Sequence, residues 1–143
     1  MPVPVVEWRM QDFKHIKAWQ RAHALAVAIH KLSRRFTPGG YGRLRGQLTG
    51  AADSIGDNIV EGCGASTKKD FARFLDNSIK SANETEGHLL KARDLELISL
   101  REWQTFSAET IEVRKMIYVY CAKVRASDGE GENPATTDPT ENS

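Results

Sequence analysis

AADSIGDNIVEGCG, residues Ala51–Gly64, is the stretch whose reading decides how the rest of this chain folds. Extended back to Leu44, it places Leu44, Leu48, Ala51, Ile55, Asn58 and Gly62 at steps of four and three, the spacing that keeps side chains on one seam of a packed helix. The seam is apolar except at Asn58, whose amide must find a hydrogen-bond partner. A polar residue at such a position fixes register or assembly rather than adding stability, so Asn58, with the nearby Glu61, is the candidate polar core or assembly element. Another face carries Gly46, Gly50 and Ser54 four apart. Glycines inside a helix cost about 1 kcal/mol each relative to alanine, so close packing against a second backbone is expected there.

Moving outward, this helix spans about Arg43 to Glu61 and is preceded by TPGGYG, where Pro38 and the paired glycines stop the helix before it. That first helix covers about Phe13 to Phe36, with Ile16, Trp19, Ala22, Leu25, Ala26, Ile29, Leu32 and Phe36 forming its stripe. A third helix starts near Ser66 or Thr67, where Thr67 and Asp70 match a capping box, and runs toward Glu96 through Phe71, Leu75, Ser78, Ala82, Thr85, Leu89 and Ala92. Ser99 and Glu102 form a second capping box, flanked by Ile98 and Trp103, so a fourth helix begins at Leu100. Its seam is Trp103, Phe106, Thr110, Val113, Ile117, Tyr120 and Val124. Strand-like alternation is absent. Four amphipathic helices with short turns bury their stripes most simply as an all-α, antiparallel up-down-up-down four-helix bundle.

With 143 residues, 40% of them hydrophobic, the chain supports one core. The expected organisation is an N-terminal arm over residues 1–12, a bundle over 13–126 and an acidic disordered tail over 127–143. The opening MPVPVVEWRM lacks the pattern of a signal peptide, and no window approaches the ~18 apolar residues that span a bilayer. A cytoplasmic location without membrane contact is expected. Cys63 and Cys121 fall on or beside apolar faces, where reduced, buried thiols are the favoured reading.

The formal charge of +1 hides a segregation. The tail holds Asp128, Glu130, Glu132, Asp138 and Glu141 with no cation, which leaves 20 basic against 14 acidic residues in the body. Between Asp12 and Asp53 there is no acid at all. Lys31, Arg34, Arg35, Arg43 and Arg45 surround the first turn, and Lys68, Lys69 and Arg73 open the third helix. An up-down bundle separates these into two patches at opposite ends. Clusters of this kind neutralise phosphates and give nonspecific, salt-sensitive nucleic-acid binding, against the alternative of ordinary solvated surface.

Catalytic and metal chemistry find little support. Asp53, Asp57 and Glu61 share a helical face, but a bundle di-iron site needs Glu-x-x-His pairs, and none occurs. His23 and His30 lie seven residues apart, more than ~10 Å by helical rise, too far to share one metal. Ser54 and Ser66 lack a nucleophile-elbow context. EGCGAS, residues 61–66, precedes a helix but lacks the phosphate-loop spacing and the strand before it. No metal, cofactor or catalytic residue is expected.

Phe13, Lys14, Ile16, Trp19, Ala22 and Phe36, then Gln47, Leu48, Ala51 and Ala52, then Ser54, Ile55, Asn58, Ile59, Glu61, Gly62 and Gly64, followed by Phe71, Phe74 and Leu75, together form a specific pattern. By these residues the chain resembles the four-helix-bundle family of 23S rRNA intervening-sequence proteins, which includes accessory proteins of diversity-generating retroelements. The match covers about Phe13 to Val124. The resemblance implies a homopentameric barrel of bundles, contact with nucleic acid or a nucleic-acid enzyme, and no established chemistry. Gly56 and Asp57 stand where relatives often have Pro and a small polar residue, and Thr49 and Gly50 stand where they often have basic residues. The expected function is a non-enzymatic, homo-oligomeric bundle that binds RNA or DNA. The alternative is a protein-interaction scaffold or accessory subunit of a retroelement reverse transcriptase.

Overall fold

The computed structural model describes residues 11–130, so the first ten residues of the expected arm and residues 131–143 of the expected tail lie outside the described residues. The described residues form four α-helices and no strand: α1 (Lys17–Leu32), α2 (Gly42–Cys63), α3 (Lys68–Asp94) and α4 (Leu100–Glu130). They make an all-α four-helix bundle in which α2 packs on α3, α3 on α4, and α1 closes the square against α2 and α4.

The stripes meet at the centre. Leu25, Ile29 and Phe36 from the first segment, Leu48, Ile55 and Ile59 from α2, Phe71, Leu75 and Leu89 from α3, and Val113 and Ile117 from α4 are all buried. Each such side chain contributes about 1.5–3 kcal/mol when removed from water. Polar residues on the stripes are satisfied locally. The hydroxyls of Thr85 and Thr110 donate to the carbonyls four residues back, at 2.8 Å each, and Ser78 donates across the helix pair to Ile55 O.

The first segment is not one continuous helix. Asp12 accepts from Lys14 N–H at 3.0 Å and sets a 3-10 turn over Phe13–His15, after which Ile16 is extended (φ −82°, ψ 117°) and α1 begins at Lys17. A second 3-10 turn, Ser33–Phe36, ends the segment. Gly40 (φ +90°) then supplies the left-handed residue that lets Tyr41 N–H reach Phe36 O at 2.9 Å. The end of α3 is closed the same way, with Leu97 N–H on Ala92 O and Glu96 at φ 60°, a conformation usually given to glycine.

Ser99 and Glu102 form a complete capping box, whereas Thr67 caps α3 by its hydroxyl alone. Thr67 Oγ1 accepts from Asp70 N–H at 3.0 Å, and Ser99 and Glu102 bond each other reciprocally at 2.9 and 3.0 Å. Gly62 faces α3 so closely that an added Cβ would fall 2.6 Å from the Phe71 ring and 3.2 Å from Phe74 Cβ. α4 continues past Arg125, where Arg125 pairs with Asp76 and Lys68 Nζ bonds the Ser127 hydroxyl, so residues 127–130 extend the helix rather than leaving it. Cys63 and Cys121 are free and buried, and burial pushes the Cys63 thiol up to about 11.

Candidate nucleic-acid interface

The first turn, between α1 and α2, and the third, between α3 and α4, lie at one end of the bundle; the second turn and the C-terminal part of α4 lie at the other. A forked ion pair between Arg35 and Glu102, two bonds of 2.9 Å, ties the first and third turns together. Arg35 therefore already has a partner, and the guanidinium holds the Glu102 carboxyl below its ordinary value, helped by the Ser99 N–H. Lys31, Arg34 and Arg43 are exposed and Arg45 is half-buried, and none has a carboxylate partner among the described residues. Up-down topology also brings Lys91 and Arg101, both exposed, to this end. Sequence reading missed them because they lie in different helices, although the helix order alone assigns them here.

Why these cations sit where they do separates them into two kinds. His30 and Lys31 occupy the last turn of α1, where the helix dipole favours positive charge. Arg43 and Arg45 occupy the first turn of α2, where it disfavours it. That N-terminus has no acid in its first turn, and Tyr41, at the cap position, makes no side-chain hydrogen bond to it. Free backbone N–H groups beside two arginines form an arrangement that an anion completes.

The second patch differs. Arg73 pairs with Asp70 at 3.7 Å and lies 4.7 Å over the Phe74 ring, Lys68 bonds Ser127, and Arg125 pairs with Asp76. Lys69 is exposed. A cleft of about 580 Å³ runs between these groups, but Asp70, Asp76 and Asp128 line it with the cations. Mixed charge makes it a poorer phosphate surface than the first end.

Asn58 is half-buried rather than enclosed in the seam. Its amide donates to Ser54 O at 2.8 Å and Ser54 Oγ at 3.0 Å, and Ser54 Oγ in turn accepts from Ser81 of α3 at 2.8 Å. An ideal helix drifts ~20° per heptad against a 3.5-residue repeat, which turns position 58 away from the core set by Leu44. Glu61 is exposed. Asp53 takes His30 Nε2 at 2.9 Å on both oxygens, and Asp57 is exposed, so the three carboxylates do not converge. Among the described residues no group of three His, Cys, Asp or Glu side chains could hold a metal ion, and no helix is long and apolar enough to cross a membrane.

Comparison with known proteins agrees with this architecture. No curated protein matches the chain. Among solved structures, a protein of unknown function from the S23 ribosomal protein family of Bacteroides thetaiotaomicron superposes with a TM-score of 0.69. The two are 24% identical over 73% of this chain and 95% of that one, a likeness of fold. A family model, 23S rRNA-intervening sequence protein, matches residues 14–119, most of the bundle. The chain belongs to the 23S rRNA-intervening sequence protein family.

Proposed function

We propose that this protein is a non-enzymatic, self-associating bundle that binds RNA or DNA nonspecifically through the end formed by Lys31, Arg34, Arg43 and Arg45. The observation that carries this reading is the N-terminus of α2, uncapped, free of acids and flanked by arginines that its own dipole disfavours. Such a site has unmet demand for negative charge, and a phosphate backbone supplies it without base contacts. A salt series tests it. Affinity for an RNA hairpin and a DNA duplex falls as salt rises, with a log–log slope that drops by about 0.9 for each phosphate contact removed by mutation. Binding indifferent to salt, or none at low salt, overturns it.

Self-association, as the homopentamer the resemblance implies, is supported by two surfaces. Among the described residues nothing lies within 4 Å of a Cβ added at Gly46 or Gly50, so their cost in α2 is not recovered by packing there. Tyr118 and Val119, 66% and 52% exposed, form an apolar spot on α4. α2 and α4 are diagonal in the bundle, and a ring with an odd number of subunits needs two different complementary surfaces. Gly50→Glu lowers the mass found by light scattering; an unchanged mass removes α2 from the contact.

A further inference from the structure

A hollow of about 200 Å³ opens between α1 and α2, walled by Phe13, Trp19 and His23 and edged by Asp53 and Asp57. Its existence follows from small residues where the two helices cross. Ala22, Ala26 and Gly56 are buried at its floor, and a Cβ on Gly56 would come within 3.4 Å of Trp19 Nε1. The wall is an ordered aromatic set, since Trp19 and His23 stack at 4.9 Å with planes 14° apart and Phe13 meets Trp19 edge-on at 4.8 Å. Asp57 is exposed with no partner among the described residues, whereas Asp53 is occupied by His30. Trp19 Nε1 has no acceptor among the described residues.

We propose that this hollow binds a guanidinium group, the head of an arginyl side chain. A planar cation stacks on an aromatic wall and pairs with a carboxylate through a fork of donors, which a compact ammonium cannot do equally well. The remaining donor, Trp19 Nε1, suits a carbonyl of the polypeptide that presents the arginine. An anion is disfavoured by the carboxylates, and a metal ion by the shortage of ligands, one of the two acids being taken. The site lies away from the unpaired basic end, between the start of α1 and the C-terminal half of α2, and does not depend on nucleic-acid binding.

The test follows the indole N–H resonance of Trp19, assigned with Trp19→Phe, as three ligands are added to the full chain: a blocked Gly-Arg-Gly peptide, its citrulline analogue and agmatine. The arginyl peptide shifts the resonance saturably, the neutral citrulline analogue does not, and Asp57→Asn weakens the peptide by about tenfold while Glu84→Gln, exposed on the diagonal helix α3, leaves it unchanged. Tighter binding of the peptide than of agmatine assigns the source to a protein; equal or tighter agmatine binding assigns it to a free guanidine. Absence of a saturable shift with either cation, an equal response to citrulline, or an unaltered Asp57→Asn variant with native circular dichroism overturns the proposal.

Discussion

The N-termini of α2 and α3 meet the same electrostatic requirement in opposite ways. α3 satisfies its first turn from within, with the Thr67 hydroxyl on the Asp70 N–H and an acid on the favourable side of the dipole. α2 begins with neither, and places Arg43 and Arg45 where a self-sufficient helix would place acids. Both regions read as basic patches in sequence. Only one of them keeps its cations largely without partners in the fold. The difference shows that a count of lysines and arginines measures potential partners, while the ion pairs and caps decide which remain available to a ligand.

The largest effect expected is on binding. Replacing Lys31, Arg34, Arg43 and Arg45 with Gln lowers RNA affinity by about tenfold or more at low salt and flattens the salt slope. The same treatment of Lys68, Lys69 and Arg73 leaves affinity nearly unchanged. Anisotropy titrations on the two variants test the contrast directly, and equal losses would erase the distinction between the ends.

Next in size is the packing that accompanies the self-sufficient end. Gly62→Ala pushes a methyl into the Phe71 ring and costs about 1–3 kcal/mol in denaturant unfolding. A neutral result would mean that α2 and α3 can separate there. A smaller pair of changes exchanges the two strategies. Thr67→Ala removes the cap of α3 at a cost of about 1 kcal/mol, and Tyr41→Asp gives α2 a cap worth a similar amount. The second change should raise thermal stability and weaken RNA binding together, because the acid competes for the same N–H groups.

The pH response is smaller again. Asp76 lies below its ordinary value because Arg125 bonds it, and Glu102 because Arg35 does. Lowered carboxylates contribute stability that is present above their ordinary values of 3.8 and 4.5 and is lost as pH falls through the lower folded ones. Melting temperatures measured downward from pH 5 should therefore decline. Both pairs are partly exposed, so each contributes little. Asp76→Asn, which releases Arg125, removes part of the decline and slightly raises RNA affinity at the second end. Least affected is Glu96→Gly: relief of left-handed strain, about 1–2 kcal/mol, is largely offset by the greater freedom of glycine in the unfolded chain.

The fold was legible because helical stripes are a local signal. Leu48, Ile55, Leu75 and Leu89 are fully buried, as their spacing requires, and Thr67 and Ser99 mark helix starts. The interrupted start of the first segment was not, since an Asp12 cap over a single 3-10 turn leaves no periodic trace. The basic site was half legible. The acid-free interval located the charges, but the pairing of Arg35 with a glutamate 67 residues away is a tertiary fact. So is the unpaired state of its neighbours. The aromatic hollow left no sequence signal, because Trp19 and Phe13 serve equally well as ordinary stripe residues until Gly56 and Ala26 are seen to leave space beside them.

Glu102 accepts the Ser99 N–H on Oε1 at the start of α4, and the same carboxylate takes Arg35 of the first segment on Oε1 and Oε2. One carboxylate is thus both a latch and a brace. The first and third turns are thereby linked to each other, so the polyanion proposed above would meet two joined turns rather than two separate loops and would have less disorder to remove on docking.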